Sequence, residues 1–342
     1  MSESTTTDTA VRDGSQPPSR ARQIFSGSVG RNLGLVVALT LLIIVGVITG
    51  GERFASVDNA LTILRLASTV GVVSIGMTFV IIGGGIDLSV GANVALASVW
   101  ATTVATQTLG SDFHWIVMVF CAIAVSTCVG IVNGLLIAYG RIAPFIATLA
   151  MLAAARGLAE IIADRKTQII TVKSFLEFFG GSVLGIPALV IIFAAVSVSG
   201  WVLLNRTTFG RRTFAVGGNP EAARLSGIKV KRHTLWLYAL LGTTCGIAAV
   251  MIMARTTTGS STHGMLWELD AIAAVVIGGT LLSGGRGTIV GTVIGVLIFT
   301  ILNNIFTLNN LSISAQAIAK GVIIVIAVLL QQRIADRSRA GT

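Results

Sequence analysis

The chain has 342 residues, 54% of them hydrophobic and only 11% charged, with a formal net charge of +10 and a mean hydropathy of +0.88. Soluble domains average about a quarter charged residues, so a water-soluble fold is excluded and the bilayer is the solvent. The positive balance calls for no nucleic-acid partner, because the placement of the basic residues accounts for it.

Residues 1–30, MSESTTTDTAVRDGSQPPSRARQIFSGSVG, are rich in Ser, Thr, Pro and charge. They read as a disordered cytoplasmic tail ahead of an uncleaved first helix. A bilayer core of about 30 Å needs about 20 apolar residues per helix. Runs of that kind lie at about 33–51, 60–82, 88–108, 114–138, 143–163, 185–204, 233–254, 268–283, 287–307 and 313–331. The expectation is therefore an all-α polytopic membrane protein of about ten transmembrane helices, some broken by Gly-rich turns. It forms one transmembrane unit over 31–332, with a cytoplasmic C-terminal tail over 333–342.

The stretch GGGIDLSVG separates the second and third runs. Gly84, Gly85, Asp87 and Gly91 are its signature: the glycines bend the chain, and the carboxylate suits the N-terminus of the next helix. Two roles stand for Asp87, a helix cap through the amides of Ser89 or Val90 and a contact with the transported solute. In the third run Ser89 and Asn93 share one helical face, and Trp100 follows. These three, with Asn303 and Asn304 at the end of the ninth run, are candidates either for a polar pathway or for helix–helix hydrogen bonds. Arg65 either lines a cavity or snorkels outward. Cys121, Cys128 and Cys245 have no metal-like spacing and read as buried small apolar residues. Arg156 and Glu160 are one turn apart and read as a local ion pair.

Between the sixth and seventh runs lies the one sizeable polar segment, residues 206–232. Gly217-Gly218-Asn219-Pro220 is turn chemistry. Asn219 is a good N-cap, Pro220 suits the first helical position, and Gly227 can end the helix. Such a short capped helix either docks into a partner or lies against lipid headgroups. Further on, SGGRGT over 283–288 lacks the Lys-Ser/Thr pair of a phosphate-binding loop and reads as a sharp turn. Gly287, Gly291 and Gly295 mark a close-packing face. VVIGGTLLSGGRGTIVG and VIIGGGIDLSVGANV are alike enough to suggest a worn internal repeat. Lys320 falls within the last apolar run, where it can pair with a backbone carbonyl or line the cavity.

Basic residues set the orientation. With a cytoplasmic N-terminus, sixteen of the 24 Lys and Arg residues fall inside: Arg12, Arg20, Arg22, Arg31, Arg141, Arg206, Arg211, Arg212, Arg224, Lys229, Lys231, Arg232, Arg286, Arg333, Arg337 and Arg339. Only Arg53, Arg165, Lys166, Lys173 and Arg255 fall outside. Both termini are thus expected in the cytoplasm.

GRRTFAVGGNPEAARLSGI resembles the cytoplasmic coupling segment of permease subunits from ribose/xylose/galactose-type ABC sugar importers. IGGGIDLSVG and LDAIAAVVIGGTLLSGGRGTIVGTVIGVLIFTILNN resemble the same family, in the same order, and the likeness spans about residues 60–330. Pro220 departs from it by standing where an acidic residue more often follows the Asn. The resemblance implies a non-enzymatic subunit of the prokaryotic cytoplasmic membrane. It implies no cofactor in this chain, ATP and Mg on a partner ATPase that is tandem-domain, an extracytoplasmic sugar-binding protein, and a second permease copy or paralogue within the lipid. Gly218, Asn219, Glu221, Ala222, Ala223, Ser226 and Gly227 would then meet the ATPase. The solute would be a monosaccharide or related polyol, moved by alternating access. The rival is an ion-coupled secondary transporter of a small polar solute, which needs ionisable groups deep in the membrane.

Overall fold

The computed structural model describes residues 28–312, 314–323, 325, 326 and 329. The C-terminal tail and residues 1–27 of the N-terminal tail lie outside that range, whereas 28–30 are already helical. The first helices are α1 (Ser28–Gly50), α2 (Glu52–Ala55), α3 (Val57–Ile82), α4 (Val90–Ala101), α5 (Val104–Asp112), α6 (Ile116–Ala138) and α7 (Pro144–Ala163). They are followed by α8 (Lys173–Gly180), α9 (Ala188–Arg206), α10 (Thr208–Gly218), α11 (Pro220–Leu225), α12 (Val230–Thr256), α13 (Trp267–Ile277) and α14 (Ile289–Leu308). Residues 314–323 are also helical.

Seven of these helices are long and apolar enough to cross a membrane among the described residues: α1, α3, α6, α7, α9, α12 and α14. Two runs expected to span do not. The 88–108 run breaks at Thr102-Thr103, where the Thr103 hydroxyl caps α5 by accepting from the Thr106 amide, leaving α4 with 12 residues. At 1.5 Å per residue that is about 18 Å, little over half a bilayer core. The 268–283 run stops at Ile277, so α13 has 11 residues, about 16 Å. The tenth run, 313–331, falls partly outside the described residues.

The helices α3 and α12 form the centre, each largely buried, while α1 lies on the periphery. Polar side chains inside α3 are satisfied locally: Ser68, Ser74 and Thr78 each donate to the carbonyl four residues earlier, which removes the cost of an unpaired hydroxyl in an apolar interior. Gly291 and Gly295 of α14 sit against the backbone of Gly278 and Ala274, so this glycine face packs within the chain. Cys245 is buried and Cys121 half-buried, but Cys128 is exposed, contrary to the expectation for all three.

Two short ladders lie at the end of the molecule opposite α10 and α11. In one, β1 (Gln168–Ile169) pairs antiparallel with β4 (Thr258–Gly259); in the other, β2 (Ser182–Val183) pairs with β3 (Ile186–Pro187).

Candidate functional site: a coupling helix, a glycine junction and a polar cavity

The polar segment between α9 and α12 folds into two helices. Gly217 and Gly218, expected in a turn, instead form the last residues of α10; the turn is confined to Asn219, whose side-chain oxygen accepts from the Glu221 and Ala222 amides at 3.0 Å each. Pro220 opens α11, and Gly227, at φ +84°, follows its last turn, with the Ile228 amide reaching the Ala223 carbonyl at 3.0 Å. Left-handed backbone there favours glycine. Arg224 donates to Glu221 at 2.6 Å, and that hydrogen bond holds the Glu221 carboxyl below its ordinary range.

Among the residues that the resemblance assigns to ATPase contact, Gly218, Asn219, Glu221, Ala222, Ser226 and Gly227 are exposed, whereas Ala223 is only 3% exposed. Ala223 therefore seats α11 on its own subunit. Leu225, absent from the sequence-based set, is 75% exposed and is the large apolar side chain that α11 presents outward. Its signal was present in the sequence, since a Leu in a short polar helix has no core to face.

Directly behind α11 the chain makes its closest approaches. A Cβ at Gly217 would run into the Ile82 carbonyl and lie 2.7 Å from the Gly285 nitrogen. The Gly285 amide in turn donates to the Ile82 carbonyl at 2.8 Å. The end of α10 thus sits on both glycine-rich breaks at once, the one after α3 and the one after α13. Those breaks share one geometry. Gly83, Gly84 and Gly85 donate to Phe79, Ile81 and Val80; Gly278, Gly279 and Thr280 donate to Ala274, Val276 and Val275. The middle glycine has φ +83° in the first and +86° in the second. The likeness read between the two stretches is therefore the same helix C-cap built twice.

Asp87 is 3% exposed and takes the Ser89 amide as expected, which orients the N-cap residue of α4 without reaching the amides of its first turn. Its Oδ1 accepts from the Ser89 amide at 2.7 Å and the Ser89 hydroxyl at 2.6 Å, and its Oδ2 accepts from Asn133 Nδ2 of α6 at 3.2 Å. Gly91 lies against the Gly264 backbone. Ser89 and Asn93 belong to this packed layer, Asn93 donating to the Ser126 carbonyl at 3.2 Å. Trp100 is 43% exposed at the far end of α4. Asn304 exchanges two amide hydrogen bonds with Asn59, at 2.7 and 3.2 Å, which fastens α14 to α3. The structure does not bring these five pathway candidates together; Asn303 lines a cavity between the helices.

That cavity, about 200 Å³, lies between α3, α12, α13, α14 and the 314–323 helix. Lys320 Nζ pairs with Asp270 Oδ1 at 3.1 Å, and Arg255, Trp267, Thr300 and Gln316 complete its polar wall. Lys320 was singled out from the sequence, but its partner, 50 positions earlier, was not legible there. Arg156 likewise does not pair with Glu160. It donates to the carbonyls of Ser261 and, at 2.9 Å, His263, while Glu160 meets Arg165 at 3.5 Å. Arg65 is exposed. Among the described residues no three His, Cys, Asp or Glu side chains are placed to hold a metal ion.

Residues 59–330 match the family described as branched-chain amino acid transport system / permease component. The ribose import permease protein RbsC of Bacillus subtilis (strain 168) is 43% identical over 314 residues, 91% of this chain and 96% of that protein. The protein of the same name from Escherichia coli (strain K12) is 38% identical over 303 residues, 87% of this chain and 92% of that one. The galactose/methyl galactoside import permease protein MglC of Escherichia coli (strain K12) is 34% identical over 315 residues, 87% and 93%. No solved structure matches the chain.

Proposed function

The chain belongs to the ABC-transporter permease family described as branched-chain amino acid transport system / permease component, and from that premise we propose that it is the transmembrane subunit of an ATP-driven importer of a monosaccharide or related polyol, working by alternating access. A subunit of this family is an integral protein of the cytoplasmic membrane and not an enzyme; ATP hydrolysis resides on a separate subunit. The family description names amino acids, but the relatives that match over almost their whole length are import permeases for ribose and galactose.

The observation that carries the mechanism is Gly217. An ATPase that moves α11 pushes on the end of α10, and Gly217 lies directly on the Ile82 carbonyl and the Gly285 amide, where α3 and α13 end. A displacement at the cytoplasmic face therefore reaches both half-length helices, α4 and α13, through backbone contacts with no side chain to absorb it. Half-length helices can tilt at their glycine caps without unfolding, whereas a helix that spans the bilayer must move whole. The orientation follows from the basic residues: α10 and α11 carry the cytoplasmic cluster, and the ladders at the opposite end lie outside. On this reading the partners are a tandem-domain ATPase below, a sugar-binding protein outside and a second permease copy or paralogue beside, with ATP and Mg held by the ATPase.

Leu225 tests the assignment. An apolar anchor at the centre of a protein contact is worth about 2 kcal/mol or more, so Leu225→Asp is expected to reduce recovery of the ATPase with the purified permease by tenfold or more while membrane insertion stays normal. Undiminished recovery of the ATPase with that variant would remove α11 as the docking element.

A further inference from the structure

The polar cavity lies away from the glycine junction, and every element reaches it by the end remote from α11. Leu66 and Val70 come from the first half of α3, Arg255 from the last turn of α12, Trp267 and Asp270 from the first turn of α13, and Thr300 and Asn303 from the second half of α14. Under the orientation argued above this is the outer half of the membrane, where a solute delivered from outside arrives first.

Its chemistry is unlike a packing defect. A buried ion pair in a low-dielectric medium is costly unless its geometry is good and its remaining hydrogen-bonding capacity is met. Here the pair borders open space: the Lys320 and Asp270 side chains keep 24% and 14% of their surface, and the Asn303 Oδ1 in the same wall is buried and accepts no hydrogen bond among the described residues. Acceptors (Asp270, Asn303) and donors (Lys320, Arg255) thus converge on one space with an indole beside them. Each hydroxyl of a sugar both donates and accepts, so adjacent hydroxyls fit neighbouring acceptors and donors, and the less polar face of the ring fits an aromatic side chain.

We propose that this cavity is a binding site within the membrane for one neutral monosaccharide-sized polyol, with Asp270 and Asn303 accepting hydrogen bonds from adjacent hydroxyls, Lys320 and Arg255 donating to them, and Trp267 lining the apolar side. The proposal rests on the importer reading and gives it a location. A volume of about 200 Å³ is about seven times the volume per water in the liquid, room for a single sugar ring. The ion pair then has a purpose in a transporter of uncharged cargo: it holds a strong acceptor and a strong donor side by side with no net charge between them.

The test uses the complete transporter, permease with ATPase and binding protein, in proteoliposomes supplied with labelled ribose, xylose, galactose or inositol. On whichever of these the wild type takes up, Asn303→Ala and Asp270→Asn are expected to lower the maximal uptake rate at least fivefold. The concentration for half-maximal uptake, set by the binding protein, stays unchanged, and in Asn303→Ala so do the yield and thermal stability of the assembled complex; Asp270→Asn leaves Lys320 without its counter-charge, so its rate is taken per assembled complex. Asn303 is the decisive position, because its Oδ1 bonds nothing among the described residues and a purely structural cavity loses no side-chain oxygen contact when it is trimmed. Wild-type uptake in Asn303→Ala overturns the site and leaves the importer reading standing. A wild type that takes up none of the four solutes overturns the importer reading and the site with it.

Discussion

Asp87 illustrates how a single carboxylate can sit inside an apolar chain with its hydrogen bonds met by neighbouring side chains and backbone. Three donors converge on it, the Ser89 amide and hydroxyl and the Asn133 side chain; in Asp87→Ala the two Ser89 donors would be orphaned at about 1–3 kcal/mol apiece, while Asn133 keeps its 2.9 Å bond to the Ser89 hydroxyl oxygen. In Asp87→Asn the Oδ1 acceptor remains, and the new amide can face Asn133, whose own Oδ1 has no partner, once that side chain turns. Thermal unfolding in detergent should therefore place Asp87→Asn within a few degrees of wild type and Asp87→Ala far below it. Equal melting of the two variants would contradict that role as acceptor. The second residue-scale prediction concerns His263, which is 8% exposed and bonded to the Ser98 hydroxyl through Nδ1 at 3.1 Å. Burial, assisted by Arg255 and Arg156, pushes its pKa down from 6.5 to about 4. The unfolded chain then binds a proton that the folded chain does not between pH 6.5 and 4, so stability declines as pH falls through that window, by at most about 3 kcal/mol. His263→Gln should flatten the decline in melting temperature between pH 6.5 and 4.5; an unchanged slope assigns it to other groups.

At the scale of elements, what the sequence could reveal was whatever depends on neighbours a few positions apart. The α11 helix was legible to the residue, because Asn219, Pro220 and Gly227 act on amides and carbonyls within one turn. The two half-length helices were not. Hydropathy continues past Thr102-Thr103 and past Ile277, so a count of apolar residues sees spans where the backbone has already turned. The Gly217 contact was equally hidden, since the residues it touches lie at 82 and 285. It leads to a paired prediction. A Cβ at Gly217 meets Ile82 and Gly285, whereas one at Gly218 meets nothing within 4 Å. Gly217→Ala should cost about 1–3 kcal/mol through overpacking and abolish the stimulation of ATP hydrolysis by the loaded binding protein. Gly218→Ala, which removes a helix glycine at no steric cost, should be neutral or slightly stabilising. If Gly217→Ala retains wild-type stimulation, the path from α11 to the breaks runs elsewhere.

For the molecule as a whole, composition settled the solvent, and charge asymmetry gave the orientation used above. The pairs that close the architecture were beyond reach because each joins distant stretches: Lys320 to Asp270, Arg156 to the 261–263 loop, Asn304 to Asn59. That is also why the expected pathway set scattered on folding. Ser89 and Asn93 lie in a packed helix layer, Trp100 faces outward and Asn304 locks α14 to α3, while Asn303 lines the cavity. The buried ionisable pair is the feature an ion-coupled transporter would share, and energy source therefore separates the two classes most sharply. In proteoliposomes holding the complete transporter, sugar uptake is predicted to require ATP on the side of α11 and the binding protein on the other, and to persist when an ionophore dissipates the proton and sodium gradients. Uptake that survives ATP depletion and collapses with the ionophore would contradict the account.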